Sequence, residues 1–207
     1  MKKHLKILVL VPCLFAALCD PIEDNCTLIY EDPETYTMII ESTSDTFMPD
    51  ETIWIDAKTS SSLINICDEN AEPQLVTDNE VFFDGFYVLK LNDNLENLNA
   101  ELAEGITVVY DIGESFTFND CNNSINILPE LTDDNQFYQY RIGLSVSTPG
   151  DYCVVSSRKN NFIINQDNNS SIFDNYNTLN NVIRFDECNF PFAREGTEGH
   201  YFFKIEE

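Results

Sequence analysis

The stretch from Phe137 to Ser156, FYQYRIGLSVSTPGDYCVVS, constrains the fold more than any other. Tyr138, Tyr140, Ile142, Leu144 and Val146 take every second position, with Gln139, Arg141, Gly143 and Ser145 between them. Successive side chains on a strand point to opposite faces, so this pattern predicts a strand with one apolar and one wetter face. Thr148-Pro149-Gly150-Asp151 then supplies turn chemistry. Proline presets one dihedral, glycine accepts a positive one, and aspartate bonds the local backbone. Tyr152-Cys153-Val154-Val155 reads as the return strand, and the whole predicts a hairpin in an antiparallel β protein.

The remaining chain repeats the theme. Strands are expected at Tyr36–Glu41, Thr52–Ala57, Pro73–Thr77, Glu80–Leu91 (broken at Asp84-Gly85), Ile106–Asp111 and Glu114–Asn119. Further strands are expected at Ser124–Leu128, Asn161–Asn165, Val182–Asp186 and Gly199–Ile205, and residues 58–72 read as a loop or irregular edge. One helix is expected over Asp93–Glu104, where Leu95, Leu98 and Leu102 fall at i, i+3 and i+7, Asp93 can cap and Gly105 can stop it. Many short strands and almost no helix predict an all-β, antiparallel β-sandwich, immunoglobulin-like or jelly-roll-like, with at most one short helix. With 15 Phe and 9 Tyr in 207 residues the chain can bury a core. A split near residue 92 leaves a front piece too short for a sandwich of about 100 residues, so 36–207 is expected to form a single enlarged domain.

The front reads differently. Lys2, Lys3, His4 and Lys6 precede an apolar run from Ile7 to Leu18. That run is shorter than the roughly 20 residues a membrane-spanning helix needs. Basic start, short apolar run and the small residues Ala16-Ala17 make 1–19 a secretory signal, followed by an acidic tether over 20–35. Two processing routes fit. Ala16-Ala17-Leu18-Cys19 can serve as a lipobox with Cys19 the lipidated residue, although Leu18 departs from the small residue usual there; or a signal peptidase cuts after Cys19.

Asp20-Pro21-Ile22-Glu23-Asp24, directly after Cys19, resembles the acidic tether of surface lipoproteins from Bacteroidetes-type bacteria. The resemblance implies an exported protein, held at the outer membrane by a lipid anchor or secreted. Gly150-Asp151-Tyr152-Cys153 resembles the Gly-x-Tyr entry into a strand of immunoglobulin-like domains. In that family tyrosine and cysteine lie two apart, on one face; here they are adjacent and must face opposite ways. Across 36–207 the chain resembles exported β-sandwich (lipo)proteins of those bacteria, distantly immunoglobulin-like, and the resemblance implies no activity.

Cys26, Cys67, Cys121, Cys153 and Cys188 are scattered, without the close pairs a zinc site uses. In an oxidising compartment they are disulfide candidates, and a bridge from Cys153 to Cys121 or Cys188 is expected. Lipidation of Cys19 leaves five, an odd number; retention of Cys19 as a thiol leaves six.

The formal charge is −25. Without residues 1–19 the chain keeps 8 of its 11 basic residues and all 36 acidic ones, 8 − 36 = −28. Such a surface repels nucleic acid and anionic lipid, so no nucleic-acid partner is expected and membrane contact only through a lipid anchor. Beyond residue 19 the chain has one histidine, His200, placed by alternation opposite Tyr201, Phe203 and Ile205 and so expected to be exposed or at an edge. No Gly-x-Ser-x-Gly elbow exists, and a multi-histidine metal site is excluded by count.

Oxygen-rich loops are the remaining cation candidates. They are Asp78-Asn79-Glu80 with Asp84, Asp133-Asp134-Asn135, and Asp167-Asn168-Asn169 with Asp174; Asp133, Asp134 and Asn135 are preferred for Ca²⁺, and no other cofactor is indicated. Trp54, the single tryptophan, is either core or a sugar-stacking platform. The sequence therefore points to a non-catalytic binding or structural role, through loops on a rigid sandwich, toward a protein or glycan ligand. A carbohydrate-active enzyme with paired carboxylates, or a carbohydrate-binding accessory protein, is the alternative.

Overall fold

The computed structural model describes residues 30–31, 36–65, 70, 72–77, 83–93, 97–117, 124–157, 162–164, 170–176, 182–187, 190–195 and 200–207. In chain order the strands are β1 (Tyr30–Glu31), β2 (Tyr36–Ile40), β3 (Thr46–Phe47), β4 (Ile53–Ser60), β5 (Ser62–Asn65), β6 (Gln74–Leu75), β7 (Asp84–Leu91), β8 (Ala100–Leu102) and β9 (Ile106–Ile112). They continue with β10 (Glu114–Ser115), β11 (Ile125–Leu128), β12 (Glu130–Leu131), β13 (Phe137–Val146), β14 (Gly150–Ser156), β15 (Phe162–Ile164), β16 (Val182–Glu187), β17 (Phe190–Glu195) and β18 (His200–Ile205). A single turn of helix, α1 (Ser170–Phe173), precedes β16.

Two sheets form a sandwich. One runs β10-β11-β7-β14-β18-β3 with β8 also on β7; the other runs β12-β13-β4-β2-β15 with β9 also on β13. Among the described residues all pairings are antiparallel except two at sheet edges, β15 on β2 and β3 on β18. Short β1, β5 and β6 make a three-stranded extension, and β16 and β17 a separate hairpin. The alternating side of β13 buries Tyr138, Tyr140, Ile142, Leu144 and Val146, as its period requires. Across the sandwich Tyr140, Ile142, Leu144 and Val146 meet Phe86, Val88, Tyr152, Val154, Tyr201 and Phe203 in one cluster. Tyr152 stacks on Phe203 with ring centroids 5.4 Å apart. Each such buried side chain contributes roughly 1.5–3 kcal/mol.

Phe137–Ser156 is two strands, but not a hairpin. β13 pairs with β4, β9 and β12, whereas β14 pairs with β7 and β18 in the facing sheet. The connection is an arch over the end of the core. Alternation tells which side of each strand is buried and is silent on whether neighbours pair edge to edge or pack face to face.

The expected helix over Asp93–Glu104 is also corrected. Asn97 has a positive φ of 65°, and Ala100–Leu102 form β8 against β7. Buried Asn99 draws the segment into extended form: its N–H donates to Arg184 O, its O accepts from Asn92 N–H, and its side chain donates to Val182 O and accepts from Arg184 N–H. Asparagine bonds backbone better than it builds helix, and here that competition outweighs the leucine spacing. Residues 58–65, expected as loop, continue β4 and form β5. The strand expected to break at Asp84-Gly85 begins there, with Gly85 paired to Asn126.

A third layer covers the seven-stranded sheet. Phe173 of α1 with Ile183 and Phe185 of β16 pack on Tyr87, Leu89, Cys153, Val155 and Phe202, forming a second cluster. Phe185 lies 5.2 Å from Tyr87 and Phe173 lies 5.3 Å from Phe202, centroid to centroid. Tyr87 donates to Glu187 at 2.6 Å, tying hairpin to sheet. Burial, and then the Glu187 bond, push the Tyr87 phenol pKa up.

Candidate functional site: the open face of the six-stranded sheet

The other outer face has no such cover among the described residues. Along β4 the inward positions Ile53, Ile55, Ala57 and Thr59 are buried, while Trp54, Asp56, Lys58 and Ser60 point out. Cross-strand register extends this face in rows. Ile39 of β2 pairs with Asp56, and Asp56 with Arg141; Trp54 pairs with Gly143, and Gly143 with Val109 of β9; Ser60 pairs with Phe137. Beyond the bend at Ser61 the chain leaves this sheet for the three-stranded extension, where Leu75 of β6 pairs with Ser62 of β5.

Six large apolar side chains stand exposed among the described residues: Ile39, Met48, Ile64, Leu75, Val109 and Phe137. Ile39, Val109 and Phe137 lie on this face, and Ile64 and Leu75 stand on the three-stranded extension. Val109 is 53% exposed in the middle of β9, and Phe137 is 37% exposed where β13 begins. Scattered exposed apolar residues need no explanation; a concentration on one sheet face marks a contact surface.

Arg141 organises the centre. Its Nε and Nη2 donate to the two oxygens of Glu41 at 2.6 and 2.9 Å, and its Nη1 donates to Asp111 at 2.7 Å. The planar fork matches a carboxylate two bonds at a time, so the residue is held in one orientation. Its guanidinium carbon sits 4.0 Å from the Trp54 ring centroid. The ring lies close over Gly143, where a Cβ would come within 3.2 Å of it and within 2.7 Å of Thr52. One side chain thus links the end of β2, β4, β13 and β9.

The charges respond in opposite senses. The Arg141 hydrogen bonds hold the Glu41 carboxyl below its usual 4.5. Desolvation, and then the charge of Glu41, push Asp56 above its usual 3.8. Lys58 lies 4.2 Å from the centroid of Phe137.

Trp54 is therefore neither core nor an open platform. It is half-buried on the outer face with a guanidinium on its ring, and Lys58 caps the other aromatic nearby. His200, expected at the surface, is fully buried: it does face away from Tyr201 and Phe203, but toward the sheet side that α1 and the β16–β17 hairpin cover. Its ring lies edge-on to Phe202, 6.4 Å between centroids. Cys153 is a free, fully buried thiol, so the expected bridge to Cys121 or Cys188 is not formed. Burial raises its thiol pKa well above the ordinary value. Cys19, Cys26, Cys67, Cys121 and Cys188 lie outside the described residues.

The Asp133-Asp134-Asn135 loop is a tight turn between β12 and β13. Asp134 accepts from the Thr132 hydroxyl at 2.6 Å and from the Gln136 N–H at 3.1 Å, and Asn135 takes φ 58°. Among the described residues no group of three or more His, Cys, Asp or Glu side chains is placed to hold a metal ion. Of the other oxygen-rich loops, residues 78–80 and 167–169 lie outside the described residues. Asp84 is buried, accepting from Gly85 N–H and the Tyr140 hydroxyl, and Asp174 is exposed. Asp84 and Glu187 are the buried acids among the described residues, and each serves a different tyrosine in a different layer rather than forming a pair.

A depression of about 500 Å³ lies by the arch, lined by Pro149, Asp151, Tyr176, Lys204 and Glu206. It is crossed by the Tyr176 hydroxyl bond to Asp151, 2.8 Å. The open face was missed in the sequence because its residues sit at the polar positions of β4 and β13. The available signal was the Trp-x-Asp-x-Lys spacing at 54, 56 and 58. Comparison with family models, with curated proteins and with solved structures gives no match.

Proposed function

We propose that this is an exported, lipid-anchored β-sandwich of the cell surface or periplasm whose role is binding rather than catalysis. It engages its ligand through the outer face of the six-stranded sheet. The observation that carries this is that three exposed apolar side chains, Ile39, Val109 and Phe137, stand on that face around the Arg141 clamp. A regular sheet face is rigid, so contact costs little ordering, which favours surface complementarity over the loop-borne recognition suggested by sequence alone. Export and anchoring rest on the basic start, the Ile7–Leu18 run and Cys19.

The test is saturable rebinding of the purified chain to cells that lack it. Wild type should saturate and Ile39→Glu/Val109→Glu should not bind; equal binding by both would overturn the assignment, and so would hydrolytic turnover abolished by changing one pair of carboxylates. A diacyl or triacyl adduct on Cys19 in the intact mass of membrane-derived protein checks the anchor; an unmodified chain starting at Asp20 in the medium would contradict it.

A further inference from the structure

The chemistry of the face restricts what can cover it. Asp56 lies at its centre, opposite Ile39 on one side and Arg141 on the other, between Trp54 and Lys58 on its own strand. Arg141 is committed to Glu41 and Asp111, and neither it nor Lys58 forms an ion pair with Asp56. Asp56 is already half-buried, and its pKa is raised because desolvation and the charge of Glu41 outweigh the attraction of Arg141 and Lys58. Any macromolecule that seats on Ile39, Val109 and Phe137 removes the water that now solvates this carboxylate. Burying a carboxylate whose neighbouring cations do not offset its desolvation is unfavourable. The cover must bring a positive charge.

We infer that the partner of this face is a protein surface presenting a lysine or arginine to Asp56 from within an apolar contact. The inference rests on the reading of this face as the binding surface. Charge complementarity supports it at long range, because a chain of net charge −25 attracts cationic surfaces and repels anionic ones. A glycan fits less well: stacking a sugar needs an open aromatic face, and both rings here carry cations. A second copy of the chain could offer its Lys58 to Asp56, but two copies of charge −25 oppose one another on approach.

The experiment places a photo-crosslinking residue at Val109 in the full chain in cells, with a control at exposed Asp186 on the covered side. The crosslinked product is identified by mass spectrometry, purified, and titrated against wild type, Val109→Glu, Asp56→Asn and Asp56→Glu across a salt series. The expected result is one protein caught from 109 and not from 186. Val109→Glu and Asp56→Asn should each bind about tenfold or more weakly. Asp56→Asn should also flatten the salt dependence, and Asp56→Glu should retain both affinity and salt slope. A partner caught from 109 and weakened by Val109→Glu, yet bound equally or more tightly by Asp56→Asn, would overturn the cation assignment and leave the face standing. A crosslink between two copies of the chain would overturn the separate partner and leave the face standing. No product from 109 would overturn both.

Discussion

Outside the seven-stranded sheet, Leu89, Val155 and Phe202 lie beneath α1 and the β16–β17 hairpin; outside the six-stranded sheet, Ile39, Val109 and Phe137 stand exposed. Both sheets face the same inter-sheet core with the same kind of side chain. The difference lies in the alternate positions. On β7, β14 and β18 these are apolar as well, so the strands read as nearly continuous runs: FYVL, YCVV, YFF. A strand buried on both sides has no wet face to encode. On β4 and β13 the alternate positions carry Asp, Lys, Gln, Arg and Gly, interspersed with single aromatics. A strand's apolar continuity reports how many layers cover it, and isolated aromatics among charges go with a face that no described layer covers.

The strongest way to break the comparison is to cut equally into each face. Phe185→Ala removes a fully buried ring from the covered side and should cost about 3–5 kcal/mol in urea unfolding. Val109→Ala on the open side should change stability by no more than about 0.5 kcal/mol. Similar losses at both sites would mean that both faces are core.

Next in size is Gly143→Ala. Its Cβ would crowd Thr52 and the Trp54 ring, forcing the indole off its seat and away from Arg141. The expected cost is about 1–3 kcal/mol, with a changed Trp54 fluorescence maximum. Unaltered fluorescence would show that the ring is not held over Gly143.

Glu41 and Asp56 sharpen the contrast through pH. The Glu41 pKa is depressed in the folded state, so its contribution is present above 4.5 and is lost as pH falls through the folded value. The stability gap between wild type and Glu41→Gln should therefore close on acidification, from a neutral-pH value of about 0–1 kcal/mol for an exposed pair. A gap that widens in acid would contradict the Arg141 assignment. Asp56 has the opposite sign: its pKa is raised above 3.8, so its ionised form costs stability at neutral pH and the cost vanishes as pH falls through the folded value. Asp56→Asn should be neutral to slightly stabilising at neutral pH, the smallest of these effects, and a clear loss would reveal a partner for Asp56 within the fold.

Much of the fold was legible because strand period and side-chain polarity act locally. Tyr138 to Val146 declared their buried side, and the opposite facing of Tyr152 and Cys153 followed from adjacency alone: one lies in the inter-sheet core, the other in the second cluster. What failed depended on distant partners. The β13–β14 arch and a hairpin share one local pattern, and only pairing with β4 and β7 separates them. His200 seemed exposed because the side of the sheet it shares with Phe202 is covered by α1 and the β16–β17 hairpin, elements its own strand does not announce. Asn99 replaced a helix with a strand through bonds to Val182 and Arg184, more than eighty positions away. The open face was invisible for the same reason. Its residues come from β2, β4, β9 and β13, and only the register brings them into rows.

The unfolding free energy of Ile39→Glu/Val109→Glu, measured by urea titration beside wild type, tests the central claim most directly, because it asks whether the face is bare without knowing what binds it. The expected loss is no more than about 1 kcal/mol, mostly from setting a carboxylate opposite Asp56. A loss of several kcal/mol would mean that these side chains are packed against the chain itself, and that the face is interior rather than a surface for a partner.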